Sequence, residues 1–430
     1  MRKNIICIAL LFCSLASYAD EGMWMLPLLE KMNSDALRSL GCRLTPEQIY
    51  SINNSSIKDA VVQFGGGCTG EIISADGLLV TNHHCGYGSI QSLSSTEHNY
   101  LEDGFWAKDR SEELPCKGQS VYFLKKMLDV TSEVMALRDS FDVEHRPMGM
   151  RRVYSHMEER YLKLFGGEGE VVCSSFYNGN KYYVAHYQVY KDVRLVAAPP
   201  VCIASFGGEV DNWEWPQHKG DFAIYRVYTA PDGSPAEYSP ENVPLHPANS
   251  LKISTKGVKP GDFTMVIGYP GKTNRYASSY AVEEITSIIN PIQAQFRGDQ
   301  MKILEKWMDS DPEIRLKYAD KYFGLSNVQE IREGEIYCYN RFEVVDIKRT
   351  QEQALQKYLG NSSLIYDLGQ KYEDVAWINQ QVTYFQETLV RGTNMHRMVN
   401  AEKRGNTKLA EQEKASLDLR VERDLFSYSL

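Results

Sequence analysis

Beyond residue 19 the 430-residue chain has no run of the ~18 uninterrupted apolar residues that a membrane-spanning helix needs, so nothing there reads as a membrane span. It has no basic tract either. The formal charge is −9, and two units more negative once Arg2 and Lys3 are removed, which disfavours nucleic acid and anionic membrane surfaces as partners. Neither HExxH, CxxC nor HxxxH occurs, so the sequence offers no metal motif. Internal repeats and low-complexity segments are also missing, which sets aside solenoids and disordered scaffolds. What remains is a globular chain, 43% hydrophobic and long enough for two or three domains.

Residues 1–19 read as a cleavable signal peptide: Arg2 and Lys3, an apolar run from Ile5 to Ala16, then Ser17-Tyr-Ala19. Lipidation at Cys13 is the alternative, but Phe12 is too bulky for the position before a lipidated cysteine. The expectation is a soluble exported protein, in the periplasm or at the cell surface. The mature chain then keeps Cys42, Cys68, Cys85, Cys116, Cys173, Cys202 and Cys338, an odd number, so at least one thiol has no partner within the chain.

Two textures follow. From 61 to 275 short strand-like runs lie between Gly, Pro, Asn and Asp clusters: 68–73, 78–81, 121–128, 170–176, 181–190, 194–198, 222–228 and 263–267. Helical patterns over 131–140 and 148–165 interrupt them. From 276 to 430 the segments 281–308, 314–322, 328–356 and 364–398 carry Glu, Gln, Lys, Leu and Ala with apolar residues at helical spacing. The division expected is a mainly β region over 20–275 and an α-helical region over 276–430, α+β overall.

Chemistry concentrates in two places. In Cys68 to Cys85, two strand-prone runs flank Ala75-Asp76-Gly77, which has the positive-φ chemistry of a hairpin turn. A cysteine at the start of one strand and another past the end of its partner can meet across the ladder. Pairing Cys68 with Cys85 closes a loop of roughly 16 residues, stabilises by about 3 kcal/mol in the chain-entropy picture, and pins His84 beside it. This run resembles the way a chymotrypsin-like protease presents its catalytic histidine. The second place is residues 206–228, where Asp221 follows Gly220 at the mouth of a strand, placed to accept a hydrogen bond from a histidine and fix its tautomer. Alone it would read as a turn cap.

The runs TNHHCGYGSIQ (81–91), DVRLVAAPP (192–200), FGGEVDNWEWPQHKGDFAIYRVY (206–228) and VIGYPGKTNRY (266–276) closely resemble the bacterial dipeptidyl-peptidase 7/11 family of exported serine exopeptidases. The resemblance implies a chymotrypsin-like double barrel capped by a helical domain, with His84 as general base and Asp221 as its orienting acid. It also implies that Asn212, Trp213 and Asn327 hold the free α-ammonium of a peptide substrate, that no metal or organic cofactor is required, and that the protein forms a homodimer. Neutral amide acceptors suit such a task, since an enzyme removing dipeptides must read a charged amine near the scissile bond. Trp215, before Pro216, reads instead as packing, and Asn327 by itself equally as a helix cap.

The departure lies in the nucleophile. Family members carry it in a Gly-Asn-Ser-Gly-Ser type loop, and no such loop occurs here. Gly360-Asn-Ser362-Ser363 is the nearest match, but it lies among helix formers without the following glycine and reads as a turn between helices. Ser89 is too close to His84 along the chain. The sequence therefore reads as the N-terminal portion of a dipeptidyl-peptidase, inactive alone, with an incomplete second barrel and exposed apolar edges. A non-catalytic peptide-binding protein on the same scaffold is the alternative. The choice between hydrophobic and acidic penultimate residues is not legible.

Overall fold

The computed structural model describes residues 23–143, 149–208, 218–271 and 276–430. By its contacts the chain falls into two compact units, each assembled from separate stretches of sequence.

One unit gathers the described residues of Met1–Ala60, Phe123–Gln188 and Ala248–Ile267. Its centre is the antiparallel hairpin of Glu170–Phe176 and Lys181–Tyr190, in register at Val172 and Ala185. The link between them places Asn178 at φ 54° and Gly179 at φ 84°, the left-handed backbone that Asn and Gly tolerate, so the tight turn expected there is present. Helices Thr131–Val143 and Met150–Leu164 lie on the hairpin. Val153, Met157 and Tyr161, at helical spacing, bury against Val171, Cys173, Tyr182 and Val184. A smaller cluster joins Leu29, Leu37, Cys42 and Ile49 with Phe263 and Ile267.

The expected strand over 263–267 does not form. Phe263 and Ile267 turn into that cluster, while Val266 between them is fully exposed. Alternating apolar residues make a strand only where a neighbouring strand takes up their backbone groups, and this run has no such partner among the described residues.

The other unit gathers Val61–Tyr122, Val189–Pro247 and Gly268–Leu430. Its strands pair antiparallel along the path Phe105–Trp106, Asp192–Ala198, Ala223–Thr229, Leu78–Thr81, Cys68–Ile72, Val61–Phe64. Phe64, Leu79, Leu195, Tyr225 and Val227 bury from these strands. Gly77 sits at φ +68° in the predicted hairpin turn, and a Cβ there would come within 2.8 Å of the Val227 carbonyl oxygen, so only glycine fits. His83–Leu93 forms a helix the sequence reading missed, because Gly86 and Gly88 hide its periodicity.

From Ser279 the chain is helical: Ser279–Glu284, Asn290–Ser310, Pro312–Arg341, Val344–Leu359, Leu364–Phe385, Met395–Lys403, Thr407–Ala415 and Leu419–Ser429, with π-turns at Ile285–Ile289 and Gln386–Val390. Leu304 and Met308, Ile314 and Tyr318, and Val421 and Leu425 each stand four residues apart and interlock into one core with Leu325. A second tie is polar: fully buried Glu387 accepts from Arg297 at 2.9 Å, and Arg391 completes its neutralisation. The reading broke the longest helix near Gly324. In the structure it runs unbroken through Gly324-Leu-Ser-Asn327 and ends at Phe342, before Glu343 in left-handed backbone. One glycine costs a helix only ~1 kcal/mol, less than the burial of Tyr318 and Leu325 on either side returns. Gly360 to Ser363 is the expected turn between helices.

Candidate active site

The site is set by strand register. Leu78–Thr81 and Ala223–Thr229 are antiparallel neighbours with Thr81 opposite Ala223. Three residues after Thr81 comes His84, and two before Ala223 comes Asp221. Two residues 137 positions apart thus leave adjacent strands at the same end. Cys68 and Cys85 are joined in a disulfide, with Cα atoms 6.1 Å apart, which ties the first turn of the His84 helix to the neighbouring strand.

The His84 Nδ1 lies 2.7 Å from Asp221 Oδ2, and the His84 main-chain N–H donates to Asp221 Oδ1 at 3.1 Å. One carboxylate therefore orients the ring and caps the first turn of its helix, where a negative charge also meets the positive end of the helix dipole. The Asn82 side-chain amide donates to the same carboxylate at 3.0 Å and to the Asp221 carbonyl at 3.1 Å. Burial works to raise the Asp221 pKa, but the hydrogen bonds from the His84 ring and main chain, the imidazole charge and the Asn82 amide prevail and hold it below the usual carboxylate range. Asp221 is thus an ionised acceptor at neutral pH. The His84 side chain is about half exposed, 48%, and its Nε2 makes no hydrogen bond among the described residues.

His83 has the opposite environment. It is buried, and burial pushes its pKa below the ordinary imidazole range, with the neighbouring His84 adding to the shift while Asp221 and a hydrogen bond at the Pro199 backbone oppose it. Its Nε2 has no hydrogen-bond partner among the described residues. Its ring meets Tyr87 of the same helix edge-on, with centroids 5.9 Å apart. Gly220, ahead of Asp221, leaves room for the Ile203 side chain, which a Cβ would approach to 2.8 Å.

Asn327 lies in the middle of the Pro312–Arg341 helix, which removes the cap reading. One turn earlier Phe323 stacks with Tyr87, ring centroids 5.3 Å apart, and lies over His84 at 6.4 Å. The Gln91 side-chain amide reaches the carbonyl oxygens of Leu316 and Lys317 on the same helix. Asn82 and Phe323 escaped the sequence reading: an Asn before a helix signals a cap and a Phe signals core. Asn212, Trp213 and Trp215 lie outside the described residues. Among the described residues no serine is hydrogen-bonded to His84. Ser89 donates to Gln119 and Ser363 to Asp367. No group of His, Cys, Asp and Glu among them is arranged to hold a metal ion.

A histidine oriented by a half-buried carboxylate is common to many hydrolases, and the wider chain decides which. The peptidase S46 family model matches residues 19–425. The chain belongs to the peptidase S46 family. Relatives include dipeptidyl-peptidase 7 of Capnocytophaga gingivalis, 41% identical over 398 residues that make up 92% of this chain and 54% of that protein. The Asp/Glu-specific dipeptidyl-peptidase of the same organism is 40% identical over 384 residues, 87% of this chain and 53% of that one. The crystal structure of Porphyromonas endodontalis DPP11 in complex with the dipeptide Arg-Glu superposes with a TM-score of 0.84 at 34% identity, covering 96% of this chain and 63% of that one. This S46 chain spans about half the length of the curated relatives it matches. The family assignment agrees with the resemblance in the four sequence runs, and the mixed α and β architecture agrees with the matched structure.

Proposed function

We propose that the chain carries the base and acid of a serine-type dipeptidyl-peptidase that releases dipeptides from the free N-terminus of peptides. The observation that carries this reading is the 2.7 Å contact between His84 Nδ1 and Asp221 in a chain of the S46 family. In the proposed reaction a serine attacks the peptide carbonyl while His84 Nε2 accepts its proton, and Asp221 stabilises the imidazolium that forms. The shortened peptide leaves, and water then frees the dipeptide from the acyl-enzyme. The serine and its oxyanion loop are assigned to sequence outside these residues, within a second barrel of a chymotrypsin-like pair. Asn212, Trp213 and Asn327 are assigned to the substrate's α-ammonium. Export rests on the N-terminal signal pattern alone.

Relatives named dipeptidyl-peptidase 7 and Asp/Glu-specific dipeptidyl-peptidase stand at 41% and 40% identity, so the proposal stops at dipeptide release and leaves the penultimate residue open. A second reading, peptide binding without catalysis, is favoured by one observation: no described serine stands against His84. An assay of this chain with a free-amine dipeptidyl fluorogenic substrate is expected to give background turnover, and genuine turnover would show the serine assignment to be wrong. Peptide binding in the same preparation, lost on N-acetylation of the peptide, is the result expected from N-terminal recognition. Equal binding of acetylated and free peptides would overturn it.

A further inference from the structure

We propose that the carboxylate of Asp320 is a subsite for a cationic group on the N-terminal residue of the bound peptide. This inference rests on the peptidase reading and deepens it. Asp320, Phe323 and Asn327 stand at positions i, i+3 and i+7 of the Pro312–Arg341 helix and so share one face. That face meets the helix carrying the general base. Phe323 lies over His84, and Asp320 Oδ1 is 3.7 Å from where a Cβ on Gly88 would stand, Gly88 being one turn beyond His84 on its own helix. The carboxylate therefore lies one turn along from the imidazole.

Two glycines keep this place open. Gly88 has no side chain to fill the space before Asp320, and at Gly324, one turn from Asp320, a Cβ would meet nothing within 4 Å. Asp320 is itself exposed, yet it makes no hydrogen bond or ion pair among the described residues. Its surroundings are crowded enough for burial to raise its pKa, and Arg397 offsets this only in part. A carboxylate that its neighbours desolvate and that Arg397 offsets only in part gains from a cation that arrives with the ligand. Asn327 lies two turns away, about 10 Å along the helix axis. An extended lysine or arginine at the peptide's first position spans such a gap with a hydrogen bond at each end, its α-ammonium near Asn327 and its side chain at Asp320. The α-ammonium itself is the other source of the same charge.

The test is fluorescence anisotropy of peptides labelled at the C-terminus, with lysine, norleucine or Nα-acetyl-lysine at position one, against this chain and its Asp320→Asn and Asp320→Glu variants, each checked for folding by circular dichroism. The expected result is that Asp320→Asn weakens the lysine peptide roughly three- to tenfold, an effect that shrinks in about 0.5 M salt and is partly restored by Asp320→Glu. A loss on the free lysine peptide that the norleucine peptide does not share assigns the side chain as the cation. A loss of equal size on the lysine and norleucine peptides assigns the α-ammonium. Tight binding of the two free-amine peptides that Asp320→Asn leaves within about twofold overturns the inference while leaving the peptidase reading in place. Failure of every peptide to bind the unsubstituted chain overturns N-terminal recognition and this subsite with it.

Discussion

Asp221 has three jobs in the structure: it orients the His84 ring, caps the His84 main-chain N–H and holds the Asn82 amide. All three favour its ionised form, which is why its pKa lies below the usual carboxylate range despite burial. The sign of the pH effect follows. A carboxylate whose pKa is depressed on folding contributes stability that is complete above its unfolded pKa, near 4, and is lost only as pH falls through the lower folded value. The pair is therefore expected to survive mild acid. A low-field proton resonance from His84 Nδ1–H should persist as pH is lowered past 5 and vanish only below the ordinary carboxylate range. Wherever the imidazole is neutral, Asp221→Asn should abolish it by favouring the wrong tautomer. Loss of the resonance at pH 5 in the unsubstituted protein would contradict this account.

At the scale of elements, the His83–Leu93 helix must be seated to a fraction of an ångström for the His84 contact to exist, and the seat is Tyr225. This residue is fully buried on the strand that follows Asp221, and its hydroxyl donates to the Gly86 carbonyl at 3.4 Å. A Cβ on Gly86 would fall 2.1 Å from that oxygen, at the end of a ring that cannot move aside. Gly86→Ala alone should destabilise by about 1–3 kcal/mol through overpacking. Tyr225→Phe alone should cost about 1 kcal/mol for the lost hydrogen bond. Combined, the two should recover much of the Gly86→Ala loss, because removing the hydroxyl makes room for the methyl. Denaturant unfolding of all four proteins checks this, and simple additivity would rule the seat out. Several strands were legible because each has local alternation and a turn residue: Leu78–Thr81, Glu170–Phe176 and Lys181–Tyr190 are as read. His84 and Asp221 were legible from their local runs. The His83–Leu93 helix, the continuity through Gly324 and the failure of 263–267 to form a strand were not, because packing against distant residues decides them. Asn82, Phe323 and Asp320 were hidden for the same reason, since their neighbours are set by register rather than by adjacency.

For the molecule as a whole, the helix Leu364–Phe385 carries the clearest unfinished business. Tyr366, Trp377 and Phe385 are each more than half exposed, and Leu364 and Ile378 accompany them. Tyr358, on the preceding helix, is 92% exposed. Scattered apolar residues on a surface are ordinary, but a run of aromatics along one helix is the mark of a face that lowers its free energy by being covered. The net charge of −9 opposes self-association at long range, and salt screens it. Oligomers should therefore appear in sedimentation velocity as protein concentration rises, and more readily in high salt, where the repulsion weakens and apolar contact does not. Trp377→Glu with Tyr366→Lys should return the protein to a monomer without altering its circular dichroism, since neither side chain belongs to a buried core. A monodisperse monomer at every concentration and salt, with no binding of an apolar dye, would show that these rings are satisfied in water as they stand.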